Sequence, residues 1–269
     1  EASVHVTDLG LLRGYAIFDY LLTRSGQPMF LDDYLSRLLR SAELLRLKLP
    51  FDRQELRRQV VELVQANDME EGGIRFLVTG GPSPDGYTPA TAPTVLILAH
   101  PMPRFDPQAY EQGVKLLLYE YRRDIPEVKT TNYIIGIHQL PRLQAAGASE
   151  VLYHDGTHIF ETTRSNFFVV KKDGTIVTPE QGVLKGITRK NVIRLAQEEY
   201  PVELRPLAIE ELHDATEAFV TSTIKRVAPV VQVDDIVIGA GRPGPVAARL
   251  REKLIALEQQ YIAEAAPSS

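Results

Sequence analysis

Cysteine is absent from all 269 residues, which rules out a disulfide framework, a thiolate nucleophile and a cysteine-ligated metal centre. Long apolar runs are missing too. No stretch approaches the ~20 residues that span a bilayer, and the amino-terminal region has neither a basic segment nor a signal-like apolar core. The formal net charge is -5, with lysine and arginine spread along the whole chain. That leaves no basic stripe with interleaved aromatics for nucleic acid. What is present is 44% hydrophobic and 24% charged, ample to bury a core in one large domain or two smaller ones. The chain reads as a soluble, cytoplasmic protein whose partners are small molecules. It begins at Glu1, directly before the strand-like Val4-His5-Val6-Thr7, and a short preceding piece is expected.

Turn signals and periodicity divide the chain. Ile17 to Leu22 and Met29 to Leu31 flank Ser25-Gly26-Gln27-Pro28 as a hairpin. An amphipathic helix follows, capped by Asp32 or Asp33, with Leu35, Leu38, Ala42 and Leu45 as its apolar face. A second helix covers about Asp52 to Gln65, and strands cover Gly73 to Gly81 and Thr94 to His100. Three prolines within Pro101 to Pro107 mark a boundary, giving a smaller domain over 1–104 and a larger one over 105–269. The second part should hold a strand at Val114 to Tyr121, a helix over about Asn132 to Ala145 ending near Gly147, and a β-meander. In the meander, Asp155-Gly156 and Asp173-Gly174 are the hairpin turns. A helix starting at Thr188, a strand near Ala218-Phe219-Val220 and a carboxy-terminal helix over about Val246 to Ala263 complete an α+β fold.

Zinc-site His pairs, a serine nucleophile elbow and a Walker loop are all missing. The six histidines are scattered without ligand spacing, so no metal is expected. One segment stands out. Gly182-Val183-Leu184-Lys185-Gly186-Ile187-Thr188-Arg189 leads a glycine-rich turn into a helix, a geometry that offers backbone N–H groups and a hydroxyl to an anion. The plainer alternative is that Thr188 only caps its helix. A second hydroxyl cluster, Thr221-Ser222-Thr223, follows an apolar strand, where it can bind a ligand or merely satisfy a turn.

Read with four further segments, these resemble the fold-type IV pyridoxal-phosphate enzymes, which comprise D-amino-acid transaminases, branched-chain aminotransferases and aminodeoxychorismate lyases. Leu12-Arg13-Gly14-Tyr15-Ala16-Ile17-Phe18-Asp19 is similar to the family's first strand. Tyr34-Leu35-Ser36-Arg37-Leu38-Leu39-Arg40-Ser41 resembles its His-x-x-Arg-Leu-x-x-Ser pattern, with Tyr in place of His. Val128-Lys129-Thr130-Thr131-Asn132 matches Lys-x-x-Asn, and Glu161-Thr162-Thr163-Arg164-Ser165-Asn166-Phe167 matches Glu-x-x-x-x-Asn-Phe. The resemblance implies a two-domain fold and pyridoxal 5'-phosphate held by Lys129 as a Schiff base. It further implies that Arg37, Ile187, Thr188 and Thr223 bind the phosphate, Glu161 faces the pyridine nitrogen and Leu184 packs on the ring. It also implies a homodimer and ping-pong transamination in which Lys129 moves the α-proton.

Substrate choice turns on what grips a carboxylate, a task suited to guanidinium. Arg13 and Arg75 are the candidates. The Arg-x-His pair of better-known D-amino-acid transaminases is missing, as is the Tyr of the branched-chain Tyr-x-Arg pattern. Leu12-Arg13-Gly14-Tyr15 and Ser83-Pro84-Asp85-Gly86-Tyr87-Thr88-Pro89 resemble a less common group of D-amino-acid transaminases. The expected activity is therefore transfer of the amino group of a D-amino acid, such as D-alanine or D-glutamate, to a 2-oxo acid. A branched-chain L-aminotransferase and an aminodeoxychorismate lyase stand next, and a non-catalytic anion-binding module is the reading from another class.

Overall fold

The computed structural model describes residues 3–89 and 92–265. The chain forms two compact units, Glu1–Pro103 with Val128–Asn132 and Glu258–Ser269, and Arg104–Glu127 with Tyr133–Leu257. Neither is a single run of chain.

In the first unit, α1 (Leu9–Arg13), β1 (Ala16–Arg24), β2 (Gln27–Pro28), α2 (Leu31–Leu44), α3 (Arg53–Ala66), β3 (Gly72–Thr79) and β4 (Thr94–His100) follow in order. The strands make one antiparallel sheet, β2-β1-β3-β4. Period-two burial explains it. Ile74, Phe76 and Val78 are fully buried on one face of β3, whereas Arg75 between them is exposed on the other. The expected hairpin forms around Ser25 and Gly26, both at positive φ (47° and 72°), as a tight turn between twisted strands requires. Its second strand is only Gln27–Pro28 rather than Met29 to Leu31. Phe30, at φ 52° and with its ring 4.8 Å from that of Tyr261, redirects the chain and occupies the N-cap of α2. Asp32 and Asp33 thus lie in the first turn instead of capping it, where they still complement the helix dipole. Asp52 does cap α3, accepting from the Glu55 N–H at 2.8 Å. Leu35, Leu38 and Ala42 are buried as the periodicity predicts. The stretch Val4 to Thr7 is not a strand, and Leu12 and Arg13 end a short helix rather than beginning β1.

The second unit runs α4 (Gln108–Gln112), β5 (Val114–Glu120), α5 (Ile134–His138), α6 (Leu140–Ala146), β6 (Glu150–His154), β7 (His158–Thr162), β8 (Asn166–Val170), β9 (Ile176–Thr178) and α7 (Ile187–Ala196). After these come β10 (Val202–Leu204), β11 (Leu207–Ala208), a 3-10 turn (Ile209–Asp214), β12 (Glu217–Ser222), β13 (Arg226–Val233) and β14 (Ile236–Val237). The carboxy-terminal helix is α8 (Pro245–Ala265). The helix expected over Asn132 to Ala145 is two helices. Pro141 near the start of α6 has no N–H to offer the carbonyl four residues back, so the chain breaks at Gln139. Gly147 ends α6 in the left-handed conformation, as expected.

The meander is part of a larger circuit. Its strands join the path β8-β12-β13-β5-β6-β7, and a further β7–β8 pairing, Glu161 opposite Asn166, closes the ring. Closure leaves these strands no free edge and encloses Leu152, Phe167, Val220 and Ala228 among the buried residues of one core cluster. A second cluster packs α7 and α8 through Val192, Leu195, Leu250 and Leu254 against Phe168 and Phe219, whose rings stack at 4.8 Å. Among the described residues no helix is long and apolar enough to cross a membrane.

Candidate active site

In the first unit, the segment around Lys129 is stitched to β1 as a short antiparallel partner. The Phe18 N–H donates to the Lys129 carbonyl at 2.9 Å, the Thr131 N–H donates to the Ala16 carbonyl at 3.1 Å, and Ile17 bridges to Thr130. Val128 is fully buried beside it. The backbone that carries the lysine is thus fixed by a sheet edge while its side chain stays half-buried, with Nζ 4.7 Å from the centroid of the Phe18 ring. Arg75 reaches the same ring from β3. Its guanidinium carbon lies 5.7 Å from the Phe18 centroid and 5.7 Å from that of Tyr20, its partner across the strands. Burial raises the Tyr20 hydroxyl pKa, and the Arg75 charge opposes that shift. Two cations therefore share one aromatic surface, on the face of β1 that carries Phe18 and Tyr20.

Arg37 comes from α2 to the other face of β1. Its Nε donates to Asp19 Oδ2 at 2.9 Å and its Nη2 to Asp19 Oδ1 at 2.6 Å, and Asp19 is fully buried. This two-pronged ion pair fixes the plane of the guanidinium. Arg13 ends α1, whose position is set by buried Asp8. That carboxylate caps Gly10 at 2.7 Å and accepts from the Thr79 and Thr94 hydroxyls at 2.7 Å each. Pairing of Asp8 with Pro82, and the bond from the Ser83 N–H to the Thr7 carbonyl, bring the loop from Pro82 to Pro89 alongside. A methyl group built on Gly86 would lie 3.9 Å from Arg13 Nη2. Asp85 organises the loop by accepting from Thr88, Tyr87 and Ser83. The Thr88 hydroxyl bond, with the backbone bonds behind it, holds the Asp85 carboxyl well below the usual range.

The second unit assembles Glu161, Leu184, Ile187 and Thr188. Glu161, only 5% exposed, accepts at Oε1 from Arg123 Nε (3.0 Å) and Nη2 (2.7 Å). At Oε2 it accepts from Asn166 Nδ2 (3.2 Å) and the Leu184 N–H (3.0 Å). Asn166 also donates to the Leu184 carbonyl at 2.8 Å, locking this turn to the end of β8. Helix α7 then starts at Ile187 with Gly186, not Thr188, as its N-cap, and no side chain caps it. The capping alternative for Thr188 is thereby corrected. Its N–H and that of Ile187 belong to the first turn, which has no carbonyl partners within the helix. Gly186 must be glycine, because a Cβ there would meet Asn166 Oδ1 at 2.2 Å. Thr221 pairs with Asn166 across β12 and β8, which brings the turn bearing half-buried Thr223 to the same end of the sheet. The buried Thr221 Oγ1 has no hydrogen-bond partner among the described residues.

Motif reading missed three features. Arg123 grips Glu161 from 38 residues away, and Asp19 pairs with Arg37 from 18 away. Glu150, 2% exposed, accepts from Lys225, Thr162, Arg164 and Ser165. Burial alone would raise its pKa, but Lys225 and Arg164 overcome this and hold the carboxyl below its usual range. Tyr133 feels both ion-pair groups. Burial, opposed by Arg123 and aided by Glu161 and Glu150, pushes its hydroxyl up to about 12.

These features suit pyridoxal 5'-phosphate. A buried carboxylate paired with Arg123 fits a protonated ring nitrogen, and an uncapped helix start behind a forced glycine fits a phosphate.

The model of the amino-transferase class IV family matches residues 16–233. A provisionally named branched-chain-amino-acid aminotransferase of Methanocaldococcus jannaschii is 35% identical, over 94% of this chain and 90% of its own length. The D-alanine aminotransferase of Bacillus licheniformis is 30% identical, over 99% of this chain and 94% of its own. Among solved structures, a T.th. branched-chain amino acid aminotransferase with pyridoxamine 5'-phosphate superimposes with a TM-score of 0.89 at 30% identity, covering 97% of this chain and 90% of that one. The chain belongs to the class IV aminotransferases, the fold-type IV enzymes that work with pyridoxal 5'-phosphate.

Proposed function

We propose that this enzyme transfers the amino group of a D-amino acid to a 2-oxo acid, as a homodimer in the cytoplasm. Bound pyridoxal 5'-phosphate supplies the electron sink for the bond broken at the substrate α-carbon. Lys129 would hold the cofactor through its ε-amine and, once released, would serve as the base that takes and returns the α-proton. Glu161 would face the ring nitrogen, Leu184 would pack on the ring, and Arg37, Ile187, Thr188 and Thr223 would hold the phosphate. Arg75 receives the α-carboxylate, with Arg13 as the second guanidinium.

The observation that carries the D-reading is the joining of Arg13 to the loop from Pro82 to Pro89. Two separated motifs resemble one group of D-amino-acid transaminases, and α1, Asp8 and Asp85 hold them side by side. The relatedness to the Bacillus licheniformis D-alanine enzyme along 99% of the chain supports it. A second reading, a branched-chain L-aminotransferase, is favoured by the similarity to the Methanocaldococcus jannaschii and T.th. proteins. A panel of D-alanine, D-glutamate and L-leucine with 2-oxoglutarate decides between them. Turnover of the D-substrates is expected, and turnover of L-leucine alone would replace this reading with the second. Arg75→Ala should raise KM for the preferred amino acid about tenfold or more while leaving cofactor retention nearly intact. Equal loss of both would remove Arg75 from substrate binding.

A further inference from the structure

The turn between β7 and β8 carries a cation that the proposed cofactor site does not use. Thr162 and Ser165 close this turn, through the Thr162 N–H to the Ser165 carbonyl (2.8 Å) and the Ser165 N–H to Thr162 Oγ1 (2.9 Å). Arg164 stands at its tip. Arg164 Nε donates to Glu150 Oε1 at 3.2 Å, and the guanidinium makes no other hydrogen bond among the described residues. The two side chains differ sharply in exposure, 64% for Arg164 against 2% for Glu150. Glu150 is therefore a fixed anchor that holds one edge of the guanidinium and leaves its two Nη groups to solvent.

The charges around this anchor do not cancel. Lys225, only 12% exposed at its side chain, also pairs with Glu150, so two cations meet one carboxylate. The neighbouring Arg123–Glu161 pair is balanced. All four groups, Arg123, Glu161, Glu150 and Arg164, act on the Tyr133 hydroxyl, so the excess positive charge lies beside Glu161 in the same patch. A planar fork with both Nη groups outward, already immobilised through Nε, is matched to a carboxylate and loses little side-chain freedom on binding one.

We propose that Arg164, anchored by Glu150, receives the second carboxylate of a dicarboxylic substrate, a five-carbon amino or oxo diacid. The inference rests on the transaminase reading above and deepens it. Arg164 then sets the preference for diacids over monoacids.

The test is calorimetric titration of the holoenzyme with glutarate and with valerate, five-carbon acids that differ by one carboxylate. Wild type should bind glutarate more tightly, and R164Q should cut that preference about tenfold. R164K, which keeps the charge and loses the fork, should fall between. A preference that is missing in wild type, unmoved by R164Q, or lost because both acids weaken equally overturns the proposal. Both probes are achiral and neither turns over, so the outcome is read whatever hand of amino acid the enzyme accepts. Failure of the D-substrate panel with the R164Q effect intact rejects the D-reading alone.

Discussion

Glu161 in the second unit and Arg75 in the first are both assigned to one reaction, yet their surroundings are opposite. Glu161 is buried and its carboxylate is held by Arg123 at one oxygen and by Asn166 and a backbone N–H at the other. Arg75 is exposed, leans on two aromatic rings, and makes no ion pair among the described residues. The difference follows what each is proposed to hold. A group that sets the electronics of a resident cofactor works by being immobile, and burial with an ion pair and hydrogen bonds to both carboxylate oxygens holds it so. A group that catches and releases substrate at each turnover must not be bonded into the protein, and an aromatic platform positions a cation without using its donors.

Lys129 tests the comparison most severely, since its backbone is fixed like the second unit's groups while its amine lies on the same aromatic surface as Arg75. Lys129→Ala should abolish complete turnovers, with about 10²–10⁴-fold attributable to lost proton transfer alone. Borohydride treatment should no longer attach the cofactor to the chain. Normal turnover in this variant would remove the lysine from the mechanism.

Glu150 tests the buried half. Glu150→Gln leaves Lys225 beside a neutral amide and should cost about 3 kcal/mol in urea denaturation at neutral pH. The sign of its pH dependence follows from the folded carboxyl being held below its ordinary value of 4.5. A depressed carboxyl contributes stability that is complete above the unfolded pKa and is lost as pH falls through the folded one. The gap between wild type and Glu150→Gln should therefore be constant above about pH 5.5 and shrink below 4.5. A gap that widened in acid would mean that Glu150 is protonated in the folded protein.

How far each half can be read from sequence follows the same division. Glu161 and Asn166 are legible only through the family resemblance, whose Glu-x-x-x-x-Asn-Phe spacing survives because one hairpin turn joins them. The strand β3 is legible from the alternation of Ile74, Phe76 and Val78 around Arg75, and β4 from its short apolar run, Val95 to Ala99. Arg123 and the Glu150–Lys225 pair are not, because ring closure brings together residues 38 and 75 apart and no local pattern encodes that register. The start of α2 departs from its local signal for a related reason. Phe30 takes the N-cap through a ring contact with Tyr261, far along the chain, which outweighs the local capping preference of Asp32 and Asp33.

Thr188 gives the smallest effect and the finest distinction, because a cap and a phosphate ligand look alike in sequence. A threonine that caps its helix contributes about 0.5–2 kcal/mol to folding, with or without a ligand. Here Gly186 holds the cap position and no side chain closes the first turn, so the hydroxyl has no folding role to lose. Thr188→Ala should therefore change the urea stability of the cofactor-free protein by under about 0.5 kcal/mol. Pyridoxal 5'-phosphate, followed by its absorbance on titration, should bind about tenfold more weakly, since a hydrogen bond to a charged oxygen contributes about 1.5–3 kcal/mol. If instead the cofactor-free protein loses about 1 kcal/mol and cofactor affinity is unmoved, the hydroxyl serves the helix and the phosphate is held by backbone N–H groups alone.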